Sequence, residues 1–341
     1  MNQALFDTPR SWRTNLANAS SFNRVGMTAV AVLAFWPLLN GGWRTSVLIV
    51  VCAGAFAVGR HQASINASIV LAFLVFGLAM VAAADLDGLL SNGAGRGPFG
   101  YANAKAALFV QGSAAGVMLA MTAGSTLVRR LALVAAAGFA VVPLVSSTVA
   151  ATLTLGLVAG GAVASRRLTR PLIGSFMALF AAALIATTIV GIAGELPGGS
   201  TGGRRVALWS EAVDMLSHDP LVGGGAFSET SPTAASDADA SWVHNEFLQL
   251  GAEHGLPAMA AAVVLVMWLL VRLRRAAVMS RLAAPAAGAV AALSVHACVD
   301  YLGHFALIPM FCAALAGTAL GVSETRSTDV RSVPPLRSTP V

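Results

Sequence analysis

The chain is a succession of long apolar runs separated by short polar interruptions. A helix that crosses a bilayer needs about 20 apolar residues, and runs of about 15 to 20 are read as crossings here. They lie near 25–40, 45–59, 64–84, 104–124, 131–147, 149–165, 171–191, 256–271, 283–299 and 305–321. The runs on either side of 143–148 fit two short helices or one broken helix. The pattern predicts an all-α polytopic membrane protein with about ten transmembrane helices.

One long polar segment, residues 192–255, interrupts this pattern. Within it, residues 205–217 place their apolar side chains on one side, which predicts an amphipathic helix lying at the membrane surface. Trp209 on that helix is predicted to anchor it at the depth of the lipid headgroups. Three consecutive glycines, 223–225, predict a turn, and a second helix is expected to start at His244.

Composition supports the membrane class. Hydrophobic residues make up 57% of the chain, charged residues 11%, and the mean hydropathy is +0.76; these values exclude a large water-facing core domain. Cys52, Cys298 and Cys312 all lie in apolar runs without metal-ligand spacing, so neither a disulfide framework nor a zinc site is expected. The polar start of the chain lacks the features of a cleavable signal peptide.

The distribution of basic residues predicts the sidedness. With the amino terminus in the cytoplasm, 16 of the 21 Lys and Arg residues fall on inner segments, as the positive-inside rule expects. The net charge of +6 is therefore a topology signal, and no nucleic-acid partner is expected. The prediction has a cytoplasmic segment 1–24, a transmembrane domain 25–321 in the cytoplasmic (inner) membrane, an extracytoplasmic loop 192–255 and a disordered cytoplasmic tail 322–341.

Polar groups in two places indicate chemistry. The loop 192–255 concentrates arginines, histidines and acidic residues that the apolar runs lack. In the ninth predicted span, His296 and Asp300 lie four residues apart on one helical face, close to the outer boundary. Ionisable pairs at that depth are functional candidates because they are costly to place there.

Several short motifs occur in a characteristic order. They are Gly97–Asn103, an Arg205-x-x-x-Trp209 spacing, His218-Asp219-Pro220 followed by the three glycines, His244-Asn245, Glu253-His254-Gly255, and His296-x-x-x-Asp300. In this order they resemble the O-antigen ligase and polymerase superfamily of bacterial membrane glycosyltransferases. The resemblance covers roughly residues 95–320.

The resemblance implies transfer of a glycan from a polyprenyl diphosphate carrier to a glycan, lipid or protein acceptor at the outer face of the membrane. It implies no nucleotide sugar, cofactor or metal. Carried over by position, Arg205, with Arg204 beside it, binds the diphosphate and His244 is the catalytic residue that assists the acceptor hydroxyl. The remaining candidates for substrate binding are Asn103, Asn245, Glu253, His296 and Asp300.

One departure from the family pattern keeps other functions open. Many relatives carry a Ser-Arg pair at the outer end of a mid-chain helix, where this chain reads Ser146-Ser147-Thr148. Arg204 or Arg96 would then replace the missing diphosphate contact. The alternatives are a polysaccharide polymerase of the same superfamily, a polysaccharide or lipid transporter, and a non-catalytic assembly scaffold. Nearly charge-free spans favour surface chemistry over transport.

Overall fold

A computed structural model describes residues 23–84, 101–145, 149–194, 200–233 and 242–332. Within these ranges the regular structure is helical, and no strand occurs, so the predicted all-α class is confirmed there. The longer helices are α1 (23–35), α2 (Trp43–Ala84), α3 (Ala102–Thr122), α4 (Thr126–Val145), α5 (Val149–Val163), α6 (Arg166–Ala193), α7 (Ser200–His218), α8 (Glu246–Ala276), α9 (Ala283–Ala297) and α10 (Leu307–Ser332).

Six of the described helices are long and apolar enough to cross a membrane: α2, α3, α4, α6, α8 and α10. Two further apolar helices, α5 and α9, are shorter. The chain is therefore a polytopic membrane protein, and the count of ten crossings stays a prediction.

Helix α2 differs from the expectation of two separate spans at 45–59 and 64–84. It runs for 42 residues and contains one residue with non-helical angles, Asn66 (φ −154°, ψ 94°). The Asn66 side chain accepts a hydrogen bond from the backbone N–H of Ile69 (3.3 Å), so it caps the segment that follows. A straight helix of this length would measure about 63 Å, roughly twice the hydrocarbon thickness. The kink therefore divides α2 into two segments.

Small residues set the close packing of α10 against the first half of α2. A Cβ on Gly317 would lie 2.2 Å from the carbonyl oxygen of Phe56, and a Cβ on Gly321 would lie 2.2 Å from that of Arg60. This four-residue spacing of glycines allows backbones to approach as they do in tightly packed membrane helices. It fixes the position of α2, whose first residues line the candidate site described below.

Helix α10 extends beyond the apolar run and takes part in an ion-pair cluster through Glu324. Arg60 Nε and Nη2 donate to the two carboxylate oxygens of Glu324 (2.8 and 2.9 Å), and Arg272 Nη2 donates to Glu324 Oε1 (2.9 Å). The cluster ties α2, α8 and α10 together. The predicted disorder of the tail from 322 is therefore wrong up to Ser332, where the helix ends. Residues 333–341 lie outside the described part of the chain.

Candidate functional site

Helix α7 begins a polar cap over the helices, which we define as α7 with residues 219–233 and 242–245. Its inward face contributes Leu208, Trp209 and Ala212 to a small core shared with Phe227 and Leu248. Trp209 is only 7% exposed. The expectation that Trp209 anchors the helix in lipid headgroups is therefore wrong, because the indole is part of the core of the cap.

The glycine turn and a kink in α8 fit closely together. Gly223 (φ 84°) and Gly255 (φ 80°) both adopt left-handed backbone angles that disfavour other residues. A Cβ on Gly223 would lie 2.4 Å from the backbone of Glu253. A Cβ on Gly255 would lie 2.2 Å from the carbonyl oxygen of Leu221, just before the glycines of the turn. The Leu256 N–H donates to the Pro220 carbonyl (2.8 Å) across this contact. The turn predicted at 223–225 thus holds α8 in its kinked form.

His254 joins this contact to the start of α2. Its Nδ1 lies 3.0 Å from Asn40 Oδ1, and its Nε2 lies 3.2 Å from Thr45 Oγ1. The Asn40 amide also donates to the carbonyl oxygens of Val222 (2.8 Å) and Glu253. Both ring nitrogens of His254 are thus engaged, and its role is to join the segment before α2 to the cap.

Asn245 starts α8 and does not line the cavity. Its Oδ1 accepts from the backbone N–H groups of Phe247 and Leu248 (3.1 Å each), which is an N-cap arrangement. Its Nδ2 donates to Thr187 Oγ1 of α6 (3.0 Å), and the residue is fully buried. Asn245 therefore fixes the residue before it, His244.

His244 has an unusual backbone conformation. Its φ is 54°, and among the described non-glycine residues it alone has positive φ. A left-handed non-glycine residue costs about 1–2 kcal/mol and persists where its surroundings hold it. The Nε1–H of Trp209 donates to the His244 carbonyl (3.4 Å). The Nδ1 of the His244 ring lies 3.4 Å from Asp300 Oδ1. These contacts aim the imidazole at the carboxylate.

Asp300 follows α9 and is the centre of a polar network. It accepts from Tyr101 OH (2.7 and 2.9 Å), from Asn103 Nδ2 (2.6 Å) and from the Tyr301 N–H (2.9 Å). His296 Nε2 lies 3.7 Å from Asp300 Oδ2. Asp300 is 1% exposed. The predicted pair of His296 and Asp300 is thus brought together with Asn103 from the beginning of α3.

The network decides the ionisation of its members. Burial of Asp300 would raise its pKa, but the hydrogen bonds from His244 and Tyr101, together with the nearby His296, outweigh burial and hold the pKa below its usual range. Burial, reinforced by the negative charge of Asp300, raises the pKa of Tyr101. Asp300 is therefore a carboxylate and Tyr101 a neutral hydrogen-bond donor near neutral pH.

A cavity of about 1370 Å³ opens beside His244. Its cationic side chains are Arg44, Arg204 and Arg205. Arg205 Nη1 donates to the carbonyl oxygen of Val299 (3.1 Å), which places the guanidinium next to the Asp300 network. The cavity therefore brings three arginines from two separate chain segments together with His244.

Arg44 is a lining residue that sequence reasoning counted only as a topology signal. It stands near the start of α2, and Val47, Leu48 and Val51 of the same helix also line the cavity. These positions are three, four and seven residues after Arg44, which places them on one helical face. That spacing was available in the sequence, but it could be recognised only once α2 was known to border the cavity.

Carboxylates also face the cavity. Glu246 and Glu253 both line it. The helix begins only after Asn245, so His244 does not follow the spacing of α8. Glu246 Oε2 accepts from the Gly303 N–H (3.0 Å). In the described ranges, no group of three or more His, Cys, Asp or Glu is arranged to hold a metal ion.

Glu253 is anchored within the cap as well as exposed to the cavity. Its Oε1 accepts from the Phe227 N–H (3.1 Å) and from Gln249 Nε2 (3.0 Å). Arg96 and the departure at 146–148 lie outside the described residues, as do residues 97–100 of the first motif.

Residues 106–263 match a family model described as O-antigen ligase. This segment of the chain is therefore similar to O-antigen ligases. The family comprises glycosyltransferase-like enzymes of polysaccharide biosynthesis. A comparison with curated proteins gave no match. The matched segment contains the cap and His244, whereas Tyr101, Asn103 and Asp300 lie outside it.

Proposed function

We propose that this O-antigen ligase-like protein is a metal-independent glycosyltransferase that moves a glycan from a polyprenyl diphosphate carrier to an acceptor at the outer face of the cytoplasmic membrane. One observation carries the proposal. A single cavity is lined by three arginines, by the apolar face of a membrane helix, and by a histidine whose Nδ1 lies beside a buried carboxylate.

The cavity suits an amphiphilic diphosphate donor. Arg44, Arg204 and Arg205 supply planar guanidinium groups, which form paired hydrogen bonds with phosphate oxygens and balance their negative charge. From Arg44 the apolar stripe of Val47 and Val51 follows α2 into the membrane-spanning segment. A diphosphate at the arginines would thus have its polyprenyl chain directed along α2 and into lipid.

His244 is the proposed general base. Because Nδ1 faces Asp300 Oδ1, the other ring nitrogen, Nε2, is the one that an acceptor hydroxyl would meet. The acceptor oxygen forms a bond to the anomeric carbon of the donor sugar, and the bond from that carbon to the diphosphate oxygen breaks. The electron pair leaves with the polyprenyl diphosphate, and the hydroxyl proton goes to Nε2. The arginines stabilise the charge on the leaving group.

Asp300 is a positioning residue in this scheme. A buried carboxylate that accepts from the δ nitrogen of a histidine fixes its tautomer and stabilises the imidazolium that forms. Asn103 and Tyr101 donate to Asp300, and His296 lies beside it. We therefore assign Asn103, His296 and Asp300, which were expected to contact substrate, to the support of His244.

The orientation is part of the proposal. Ten crossings with the amino terminus in the cytoplasm put the cap and the cavity outside and 16 of the 21 basic residues on inner segments. The kink at Asn66 is compatible with this count, because it allows α2 to supply two crossings.

Transfer by the purified protein in lipid nanodiscs tests the proposal, with a polyprenyl diphosphate-linked glycan as donor and glycan, lipid and protein acceptors in separate reactions. His244→Ala should lower kcat by roughly 10²–10⁴-fold, the usual contribution of general base catalysis. Arg205→Ala should lower kcat/KM for the donor by about 10–100-fold, as expected for the loss of a charge-assisted contact.

Arg129→Ala is a matched control, because Arg129 is exposed on α4 and does not line the cavity. Its transfer rate should equal that of the wild type. Full activity of both the His244 and the Arg205 variants would contradict the proposed site.

A further inference from the structure

The ion-pair cluster of Arg60, Arg272 and Glu324 lies far from the cavity. Arg44 lines the cavity at the start of α2, and Arg60 lies on the same helix before its kink. At about 1.5 Å per residue, the two arginines are separated by about 24 Å along the helix axis. This distance approaches the roughly 30 Å thickness of the hydrocarbon core. The cavity and the ion-pair cluster are therefore near opposite surfaces of the membrane.

Two guanidinium groups share one carboxylate in the ion-pair cluster. Arg60 donates to both oxygens of Glu324, and Arg272 donates to Glu324 Oε1. Arg272 Nη1 also donates to the side-chain oxygen of Asn23 at the start of α1. The side chains of Arg60 and Glu324 are 44% and 39% exposed. The ion-pair cluster is therefore held by four helices, is open to a ligand, and carries one positive charge in excess.

The surroundings of the ion-pair cluster add positive charge. Arg275 follows Arg272 by three residues, which places it on the same side of α8, and Arg24 next to Asn23 is exposed. In the described ranges, the carboxylates other than Glu324 all belong to the cap, the cavity or its polar network: Glu211, Asp214, Asp219, Glu229, Glu246, Glu253 and Asp300. This end of the helices therefore attracts an anion.

An apolar surface adjoins the guanidinium groups on the side of the membrane interior. Phe56 precedes Arg60 by one helical turn, and Trp268 precedes Arg272 by one turn. The Trp268 ring lies 5.7 Å from the guanidinium carbon of Arg272 and 6.2 Å from the Phe56 ring. Both rings are only partly buried, and tryptophan is typical of the headgroup depth. A ligand at the arginines would therefore have an apolar surface on one side and water on the other.

A phospholipid with one negative charge matches these features. Guanidinium groups form paired hydrogen bonds with phosphate oxygens, and basic pockets between membrane helices bind anionic headgroups. The single charge of a phosphodiester would balance the excess charge of the ion-pair cluster, whereas a zwitterionic lipid brings its own cation. A free phosphate ion would leave the apolar surface unused. A purely structural ion pair would require only one arginine for Glu324.

We propose that the ion-pair cluster binds the phosphodiester of an anionic glycerophospholipid, with Arg60 and Arg272 as the phosphate ligands. With the proposed orientation, this lipid belongs to the cytoplasmic leaflet. The site is separate from the cavity, and its binding can be measured without any glycan donor. Because Arg60 and Glu324 join α2 to α10, the bound lipid would stabilise the contact that positions α2.

Native mass spectrometry of the full chain in detergent tests this proposal, with phosphatidylglycerol, phosphatidylcholine and inorganic phosphate added in separate titrations. We expect phosphatidylglycerol to bind at least about ten-fold more tightly than phosphatidylcholine, since each arginine near an anionic headgroup contributes a factor of about five. Inorganic phosphate should not bind measurably. Arg60→Gln should weaken the apparent Kd for phosphatidylglycerol about five-fold.

Arg129→Gln controls for diffuse attraction by positive charge. Arg129 is exposed near the start of α4, which follows the end of α3 that is remote from the cavity. This variant should keep the Kd of the wild type. An equal loss in the Arg129 and Arg60 variants, an unchanged Kd in the Arg60 variant, or binding of inorganic phosphate as tight as that of lipid would overturn the proposal.

Glu324→Gln distinguishes a lipid site from a structural ion pair. The substitution removes the negative charge that competes with the phosphodiester, and the amide oxygen can still accept from an arginine. The variant should therefore bind phosphatidylglycerol at least as tightly as the wild type. If Glu324→Gln weakened binding as much as Arg60→Gln does, the arginines would serve the ion pair alone, and the proposal would be wrong.

Discussion

At the residue scale, the properties of Asp300 determine the state of the site. A carboxylate that is 1% exposed is stable only with several donors around it, and it has them in Tyr101, Asn103 and the Tyr301 backbone. The same donors that keep Asp300 charged also fix where the His244 ring lies. The electrostatics and the geometry of the site therefore have one origin.

The depressed pKa of Asp300 predicts how the network responds to pH. Because the folded-state pKa lies below the unfolded value of about 3.9, the ionised network stabilises the fold fully above that value and less as pH falls toward the folded pKa. Asp300→Asn should lower the free energy of unfolding at neutral pH by about 2–3 kcal/mol, as for a lost hydrogen bond to a charged group.

Thermal unfolding of both proteins in nanodiscs, measured between pH 3 and 8, checks this prediction. The advantage of the wild type should persist down to about pH 4 and shrink below it. An advantage that disappears already at about pH 6, well above the carboxylate range, would mean that Asp300 is not held ionised by its neighbours.

Individual residues also mark the limit of sequence reasoning. The order of motifs predicted His244, Arg205 and Asp300 as parts of a site, and in the structure His244 and Arg205 line one cavity while Asp300 is buried beside His244. The separate roles of these three residues could be assigned only from contacts between residues far apart in the chain, such as Tyr101 with Asp300. Such contacts leave no periodic trace in one sequence.

At the element scale, the contact between the glycine turn and the kink of α8 fixes the position of the cap relative to α8. Gly223 and Gly225 have nearly equal φ values of 84° and 83°, but a Cβ on Gly223 would clash with the backbone of Glu253, whereas one on Gly225 would meet nothing within 4 Å. Substitutions at the two positions therefore distinguish the loss of stability caused by backbone strain alone from the loss caused by strain together with steric overlap.

Alanine at these two positions should produce different losses of stability. Gly225→Ala should cost about 1–2 kcal/mol for a left-handed alanine. Gly223→Ala should cost a further 1–3 kcal/mol, roughly the penalty of overpacking, and should also slow glycan transfer, because the turn positions the start of α8. Thermal unfolding and transfer assays compare the two variants. Equal losses would show that the turn does not press on α8.

Elements were predicted well where periodicity is strong and poorly where packing decides. The amphipathic pattern of 205–217 does correspond to a helix, α7. The apolar face of α7 was predicted to contact lipid, but it packs on Phe227 and Leu248. An apolar face in a sequence indicates that it is buried, but it does not indicate whether lipid or protein covers it. Likewise, the polar residues between 59 and 64 suggested a break in α2, but the backbone departs from helix at Asn66.

At the scale of the whole molecule, sidedness is the property on which the proposed function depends. A single cysteine at Ser217, which is exposed near the end of α7, should react with a membrane-impermeant maleimide in intact spheroplasts. A cysteine at Arg170, exposed on the first turns of α6, should react only after permeabilisation. The opposite pattern would place the cavity on the cytoplasmic side and exclude transfer at the outer face.

The apolar stripe of α2 has a consequence for the choice of carrier. From Arg44 to Val51 the helix rises only about 10 Å, a distance that the first isoprene units next to the diphosphate would fill. In the part of the protein that the structure describes, no residue of α2 beyond Val51 lines the cavity, so the remaining isoprene units would lie among lipid acyl tails. Carriers with far fewer isoprene units than a natural polyprenol should therefore be accepted almost as readily, provided that the units next to the headgroup are intact.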